Sequence, residues 1–567
     1  MPGVRARPLR GGTIPFVKRA PVAVVLVLIG AAILVPIGGG LVGSVGRSNP
    51  SSAPAGASAT PASSAVAGGS ASADPSATSG QTASPPATTP APPSGPPGDV
   101  AIVPVTTFRS AYSATSSDEV KDVLAGKSNR YEALELVESD ADAILAALGV
   151  DRPSDPARLV LAANAGTLSS DLAKNRKRLA IVRADDVWEG IRALGWDGRA
   201  LFGVDRVKAL ADWPLTATLP TRSDGGAAYD PQAAWTLVAG GDIMLDRGVA
   251  KTLTVEGKGA DFPFDGGTAR ITGHVCCSQF GWKTPTMART GNAGAVRSLL
   301  EGADLAIANF ENPAPDRFTW HTKGVVFSAD PKLIDGLARA GIDYVSIGNN
   351  HIRDAGGNGI VQTIANLEKR GLASSGAGKN LAEARRPAVL EAGGQKVAIL
   401  GYDTVAKYYA ASATRAGSAQ LTAAACRADV AAARKAGADV VIVFPHWGTE
   451  YDATPFGGQQ RLARACIDAG ADMIIGNHAH WAGAVETYDG KPIWYALGNF
   501  VFDQTWSEPT MEGMTLELTF VGNDLRQVRM RPHIILDRAQ PNFMDPTGDG
   551  RVVMGQVFDA SKGLLDW

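Results

Sequence analysis

The feature that most constrains how this chain can fold is a short pattern repeated along its C-terminal half. A helical stretch runs into a Gly turn, then an Asp, then a short apolar run, then a polar cluster. Leu299-Leu300-Glu301-Gly302-Ala303-Asp304 leads through Leu305–Ala308 into Asn309-Phe310-Glu311-Asn312. Arg339-Ala340-Gly341-Ile342-Asp343 leads through Tyr344–Ile347 into Gly348-Asn349-Asn350-His351. Lys435-Ala436-Gly437-Ala438-Asp439 leads through Val440–Phe444 into Pro445-His446-Trp447-Gly448. Asp468-Ala469-Gly470-Ala471-Asp472 leads through Met473–Ile475 into Gly476-Asn477-His478-Ala479-His480. A Gly after a helix is the left-handed C-cap signal. An apolar run of about five residues after it reads as a strand buried on both faces. Alternating helices and strands predict an α/β sheet covered by helices.

In such sheets ligands bind beyond the carboxyl ends of the strands, where each of these polar clusters falls. A fifth strand, Trp235–Ala239, ends in Gly240-Gly241-Asp242. Five strands are therefore expected to deliver Asp242, Glu311, Asn350, His351, His446, His478 and His480 to one rim. Four of the chain's seven histidines lie in these clusters. A lone strand-end histidine is usually packing, but four beside two carboxylates predict a metal site. Imidazole, carboxylate and amide oxygen suit Mn, Fe or Zn, with one or two divalent ions. If His478-Ala479-His480 is extended, its two imidazoles face the same way. Arg353, two residues after His351, is a candidate to hold an anion. Glu450 and Tyr451, after His446-Trp447, are candidates to contact substrate, and so is Asn499, after Tyr495–Gly498.

The residues before this region set its surroundings. Residues 1–19 carry Arg5, Arg7, Arg10, Lys18 and Arg19, and an uncharged run occupies 20–45. A bilayer-spanning helix needs about 20 apolar residues, and flanking positive charge keeps its own end cytoplasmic. A single-pass transmembrane helix is expected there, the run being longer than the h-region of the alternative, a cleaved signal peptide, with everything after it outside the cytoplasm. Residues 46–99 are rich in Ser, Ala and Pro and bury too little to order themselves, so a disordered linker is expected. Residues 100–225 read as a small α/β domain of unknown role, 234–540 as the main domain, and 541–567 as a C-terminal tail. A net charge of −2 and the absence of a basic stripe exclude nucleic acid as the partner. Cys426 and Cys466 sit in two helical patterns flanking one strand, where either a disulfide or buried thiols would fit.

The clusters together resemble the bacterial capsule and poly-γ-glutamate synthesis (CapA) family, a branch similar to calcineurin-like metallophosphoesterases. The resemblance rests on Gly241-Asp242-Ile243-Met244-Leu245, Asn309-Phe310-Glu311, Asn349-Asn350-His351 with Asp354, and His446-Trp447-Gly448 with Glu450-Tyr451. It continues through Gly476-Asn477-His478-Ala479-His480 and Leu497-Gly498-Asn499-Phe500-Val501-Phe502-Asp503, in the family's order. It implies a layered, metallophosphoesterase-like α/β sandwich. It implies Asp242 and His480 on a first metal, and Asn350, His446 and His478 on a second, with Glu311 bridging. His351 would stay off the metals as general acid or oxyanion partner. Met244 stands where phosphoesterases usually place a His, so Asp246 or water would have to complete the first metal. The implied role is in capsule or poly-γ-glutamate synthesis. The chain would be either a metal-dependent hydrolase or transferase on a cell-envelope polymer, or a non-catalytic polymer-binding or export component. A membrane synthase complex is the implied partner.

Overall fold

A computed structural model describes residues 95–221 and 228–567. The basic tail, the apolar run at 20–45 and nearly all of the linker lie outside the described residues. Among the described residues no helix is long and apolar enough to cross a membrane.

The main region is built on two sheets. In the larger, Ala234–Ile243 lies between Leu305–Phe310, parallel to it, and Glu512–Val521, antiparallel. Tyr344–Ser346 and Ala373–Ser375 continue the parallel side. In the smaller, Gln395–Asp403, Val440–His446, Met473–Ile475 and Lys491–Trp494 run parallel in that order. Each central strand is buried on both faces, and its side chains alternate between two cores. From Ala234–Ile243, Trp235, Leu237 and Ala239 enter the core shared with Val397, Ile399, Val440, Ile442 and Phe444 of the other sheet. Val238 points the opposite way, into a cluster with Leu299, Leu337 and Ile360 of the outer helices. Val441, Val443 and Ile474 likewise meet Val430, Ala433 and Ile467 of the helices Ala423–Lys435 and Gly457–Asp468. The result is a mixed α/β fold of two facing sheets with helices outside both.

The helix ends explain the repeated pattern. Thr422 caps the helix Ala423–Lys435 by accepting from the Ala425 amide. Gly341, Gly437 and Gly470 turn the chain at φ of 87°, 87° and 99°, a conformation that glycine adopts without Cβ strain. The Asp that follows also has a job. Asp472 accepts from the Val441 amide at 2.7 Å, and Asp304 from the Thr236 amide at 2.7 Å, so each fixes the start of a neighbouring strand. Cys426 and Cys466 are joined as a disulfide between the two outer helices.

Two boundaries differ from the sequence reading. The first strand, Pro97–Thr107, begins inside the stretch read as linker, because Pro97–Asp99 pair with Thr218–Pro220. Residues 541–567 are not a tail. They complete the strand Gln540–Phe543 and form the helix Arg551–Ala560, with Val553, Met554 and Val557 buried. Trp567 is buried too, its ring centroid 5.1 Å from that of Phe108.

Residues 97–220 form a separate six-stranded sheet with its own core. It docks through Ala193, Gly203 and Val204, whose amides donate to Gln527, Thr519 and Glu517. Thr519 and Glu517 pair with Thr236 and Val238, toward the end of that strand remote from Asp242.

Candidate metal centre

Both sheets send the carboxyl ends of their parallel strands to one edge, and the polar residues collect there. Asp242 is the penultimate residue of its strand, with Asn309 beside it in register on one side and Asn499 on the other. His446 ends its own strand and bridges to Asn477. Asp242, Glu311, His446, His478 and His480 are all buried, none more than 4 % exposed. Two trios have donor atoms within 4.8 Å of one another: Asp242, Glu311 and His446, and Glu311, His478 and His480. Glu311 belongs to both.

The geometry of the histidines is tight. His478 Nδ1 lies 3.1 Å from His446 Nε2, and the His478 amide donates to Asp242 at 3.2 Å. His480 Nε2 and His446 Nε2 stand 3.7 and 3.6 Å from Glu311 Oε1. The two imidazoles of His478-Ala479-His480 do not converge through strand alternation. His478 and His480 have φ of 94° and 56°, so a loop in the left-handed region turns them inward. Such backbone is uncommon for residues with a Cβ and concentrates at functional sites.

The electrostatics point the same way. Both Glu311 oxygens and Asn350 Oδ1 are buried and lack a hydrogen-bond partner among the described residues. Burial, and then the neighbouring Asp242, pushes the Glu311 carboxyl well above the usual range. Burial and then His478 hold His446 well below the ordinary imidazole value, and burial and then His480 push His478 down to about 3. Neutral imidazoles around an unpaired carboxylate are a poor arrangement for an empty interior and a good one for a divalent cation. The residues present therefore fit a metal, with Glu311 as the shared ligand.

His351 sits at the edge of this group. Its Nδ1 meets Asp354 Oδ2 at 2.8 Å, and its Nε2 is 3.9 Å from Glu311. Asp354 is fixed in turn by the Phe327 amide and the Tyr409 hydroxyl. A carboxylate behind Nδ1 sets the ring orientation and leaves Nε2 facing the cluster.

Other expected residues fall differently. Asn499 does not face an open site. It is fully buried, with Oδ1 2.9 Å from His480 Nδ1 and its amide nitrogen donating to Gln504 and the Thr510 carbonyl. It orients His480 rather than substrate. Glu450 is exposed on the rim. Tyr451 is half-buried beside it, its ring 6.1 Å from that of His480, and burial, then Glu450, raise its hydroxyl pKa. Arg353 is half-buried on the turn after His351. Asp246 is not free for a metal, since its oxygens take the amides of Arg247, Ser328 and His321 and the His321 ring. Met244 points into the outer core.

Asn309 was not among the expected site residues. Its Nδ2 contacts Asp242 Oδ1 at 2.8 Å and His446 Nδ1 at 3.2 Å, linking the two sheets. Its place two residues before Glu311 on one strand was the available signal. Because Asn499 holds His480 from behind, Asn499→Ala is expected to weaken metal affinity about 10–100-fold, the usual cost of losing such support. Competition with a chelating indicator would measure it.

Comparison with known proteins matches residues 236–504 to the family described as bacterial capsule synthesis protein PGA_cap. A probable polyglutamine synthesis accessory protein of Mycobacterium tuberculosis is 31% identical over 291 residues, 47% of this chain and 74% of that protein. The chain belongs to this family. The capsule biosynthesis protein CapA of Bacillus anthracis is 30% identical over 48% of this chain and 67% of its own length. The PGA biosynthesis protein CapA of Bacillus subtilis is 32% identical over 47% and 63%. The match thus covers about half of this chain and about two thirds of these family members. Among solved structures, a 5'-nucleotidase precursor of Thermus thermophilus is 14% identical with a TM-score of 0.32, covering 58% of this chain and 59% of that one. The NAD nucleotidase of Haemophilus influenzae is 13% identical at 0.33, covering 58% and 63%. Overlaps this slight carry no inference about activity.

Proposed function

We propose that the protein is a membrane-anchored, extracytoplasmic component of capsule or poly-γ-glutamate synthesis, whose metal centre hydrolyses or transfers bonds of an envelope polymer. Family membership supports the polymer context. The uncharged run at 20–45 behind a basic tail supports the anchor, and a membrane synthase is the partner such placement suits. The observation that carries the catalytic part is Glu311, buried with both oxygens unpaired among three histidines, beside a His351 held by Asp354.

In this reading Asp242, Glu311, Asn350, His446, His478 and His480 hold one or two ions of Mn, Fe or Zn. A bound ion supplies Lewis acidity and an activated water. His351, kept in orientation by Asp354, donates a proton from Nε2 to the leaving group. Tyr451 and Glu450 line the approach. Burial of the cluster keeps bulk water from screening it.

A second reading, a non-catalytic component that binds, anchors or exports the polymer, is favoured by one observation. Met244 and Asp246 are both committed elsewhere, which leaves the first of two ions a thin ligand set, Asp242 and His480 with the shared Glu311. His351→Ala separates the readings. Metal content is expected to stay at the wild-type level, while cleavage of poly-γ-glutamate, followed as new chain ends, falls about 10²–10⁴-fold. Wild-type protein that holds metal and cleaves nothing would move the assignment to the non-catalytic component.

A further inference from the structure

Arg247 stands one aromatic layer from the donor cluster, and nothing above gives it a function. Its side chain is 9% exposed. It follows Asp246 at the start of a short helix, with a φ of 47°. One terminal nitrogen donates to the Gly324 carbonyl at 2.9 Å, and the other pairs with Asp503 at 2.5 Å. Asp503 is itself anchored by the Gly248 amide at 2.8 Å.

The guanidinium is also held by two rings. It lies 4.8 Å from the Phe327 ring centroid and 5.7 Å from that of Phe502. Phe327 packs 4.1 Å from the His351 ring, and Phe502 packs 4.9 Å from the His480 ring. Arg247 is therefore one aromatic layer away from two of the site's histidines. Its charge acts on both Glu311, on the floor of the site, and Tyr451, at its rim.

One donor is left over. Arg247 Nε is buried and has no partner among the described residues. A guanidinium presents five N–H donors in a fixed fork suited to planar or tetrahedral oxyanions. Burying one of those donors unpaired is costly unless a ligand takes it. The clamp of Asp503, Gly324, Phe327 and Phe502 fixes the fork in advance, which lowers the cost of binding when an anion arrives.

We propose that Arg247 forms an anion subsite beside the metal centre, which receives an oxyanion group of the substrate, phosphoryl or carboxylate, next to the bond that reacts. This rests on the reading of the cluster as a metal centre acting on an anionic polymer, and it narrows that substrate to one with a negative group adjoining the reacting bond. A neutral polymer would offer Nε only an ordinary acceptor, without the charge-assisted bond that an oxyanion supplies.

The test uses full-length, metal-loaded protein, titrated by calorimetry with inorganic phosphate in one arm and N-acetylglutamate in the other. Metal content is measured in every sample. Wild-type protein is expected to bind at least one of the two anions, and the arm that responds identifies the group. Arg247→Gln is expected to retain its metal and to weaken that anion about 10–100-fold, the usual range for a lost charge-assisted hydrogen bond. Arg247→Lys keeps the charge and serves if the glutamine variant does not fold. It is expected to lose about tenfold, because a lysine cannot present the fork. Metal-loaded wild type that binds neither anion would overturn the subsite while leaving the metal centre standing. So would a metal-loaded Arg247 variant with unchanged affinity, or a variant that loses metal and anion together. Wild type without metal would instead overturn the reading on which the proposal rests.

Discussion

Replacing His478 and His480 together by alanine is expected to strip the protein of its metal, to about a tenth of the wild-type content or less, since structural and catalytic ions need three or four protein ligands. The two residues carry one donor trio with Glu311. His478 also braces His446 at 3.1 Å, so its loss loosens the second trio. The fold should survive, because both side chains sit on a loop beyond Met473–Ile475 and the core strands keep their packing. Elemental analysis of the purified protein measures the result. Undiminished metal in the double variant would remove the site assignment altogether.

Glu311→Gln is expected to act in opposite directions with and without metal. With metal, the variant loses a negative charge beside a divalent ion. Unit charges about 4 Å apart interact by about 4 kcal/mol at an effective dielectric of 20, so affinity should fall about a thousandfold or more. Without metal, the wild-type carboxyl is buried, unpaired and close to Asp242. Its folded-state pKa is raised well above 4.5. Above pH 4.5 the unfolded chain gives up this proton while the folded protein keeps it, so the folded state binds more protons. Stability of the metal-free wild type therefore falls as pH rises from 4.5 toward the raised value. Glutamine carries no such proton. Metal-free Glu311→Gln should match wild type near pH 4 and melt at progressively higher temperature than wild type as pH rises. Thermal denaturation in chelator across that range checks it. A wild type that stays the more stable across the range would show that Glu311 has partners within the folded protein.

Much of the site was legible because the pattern that marks a buried parallel strand is local. Gly341, Gly437 and Gly470 mark helix ends, the apolar runs after them are short, and polar residues appear where each run stops. These signals depend on backbone conformation and on burial of both strand faces. They placed Glu311, Asn350, His351, His446, His478 and His480 at one edge without knowledge of any long-range contact. Tail and linker boundaries were less legible. Pro97–Asp99 and residues 541–567 gain their order from partners far away in sequence, Thr218–Pro220 for the first and Phe108 and the inter-sheet core for the second.

By itself, then, the sequence determined the parallel strands, their helices and the edge at which the polar residues gather, through the φ preference of glycine and the burial of short apolar runs. Tertiary structure alone decided which of those polar residues face the centre. Beyond the last strand residue a side chain's direction follows from turns set by neighbouring packing. That packing turned Met244 into the outer core and gave Asp246 to His321 and Ser328. It put Asn499 behind His480 and Asn309 between the two sheets. It also brought Cys426 to Cys466 and stacked Arg247 on Phe327 and Phe502. None of those pairings is fixed by spacing alone, although the helical patterns around Cys426 and Cys466 left a disulfide open, because each joins segments whose approach is set by how helices, loops and sheets pack.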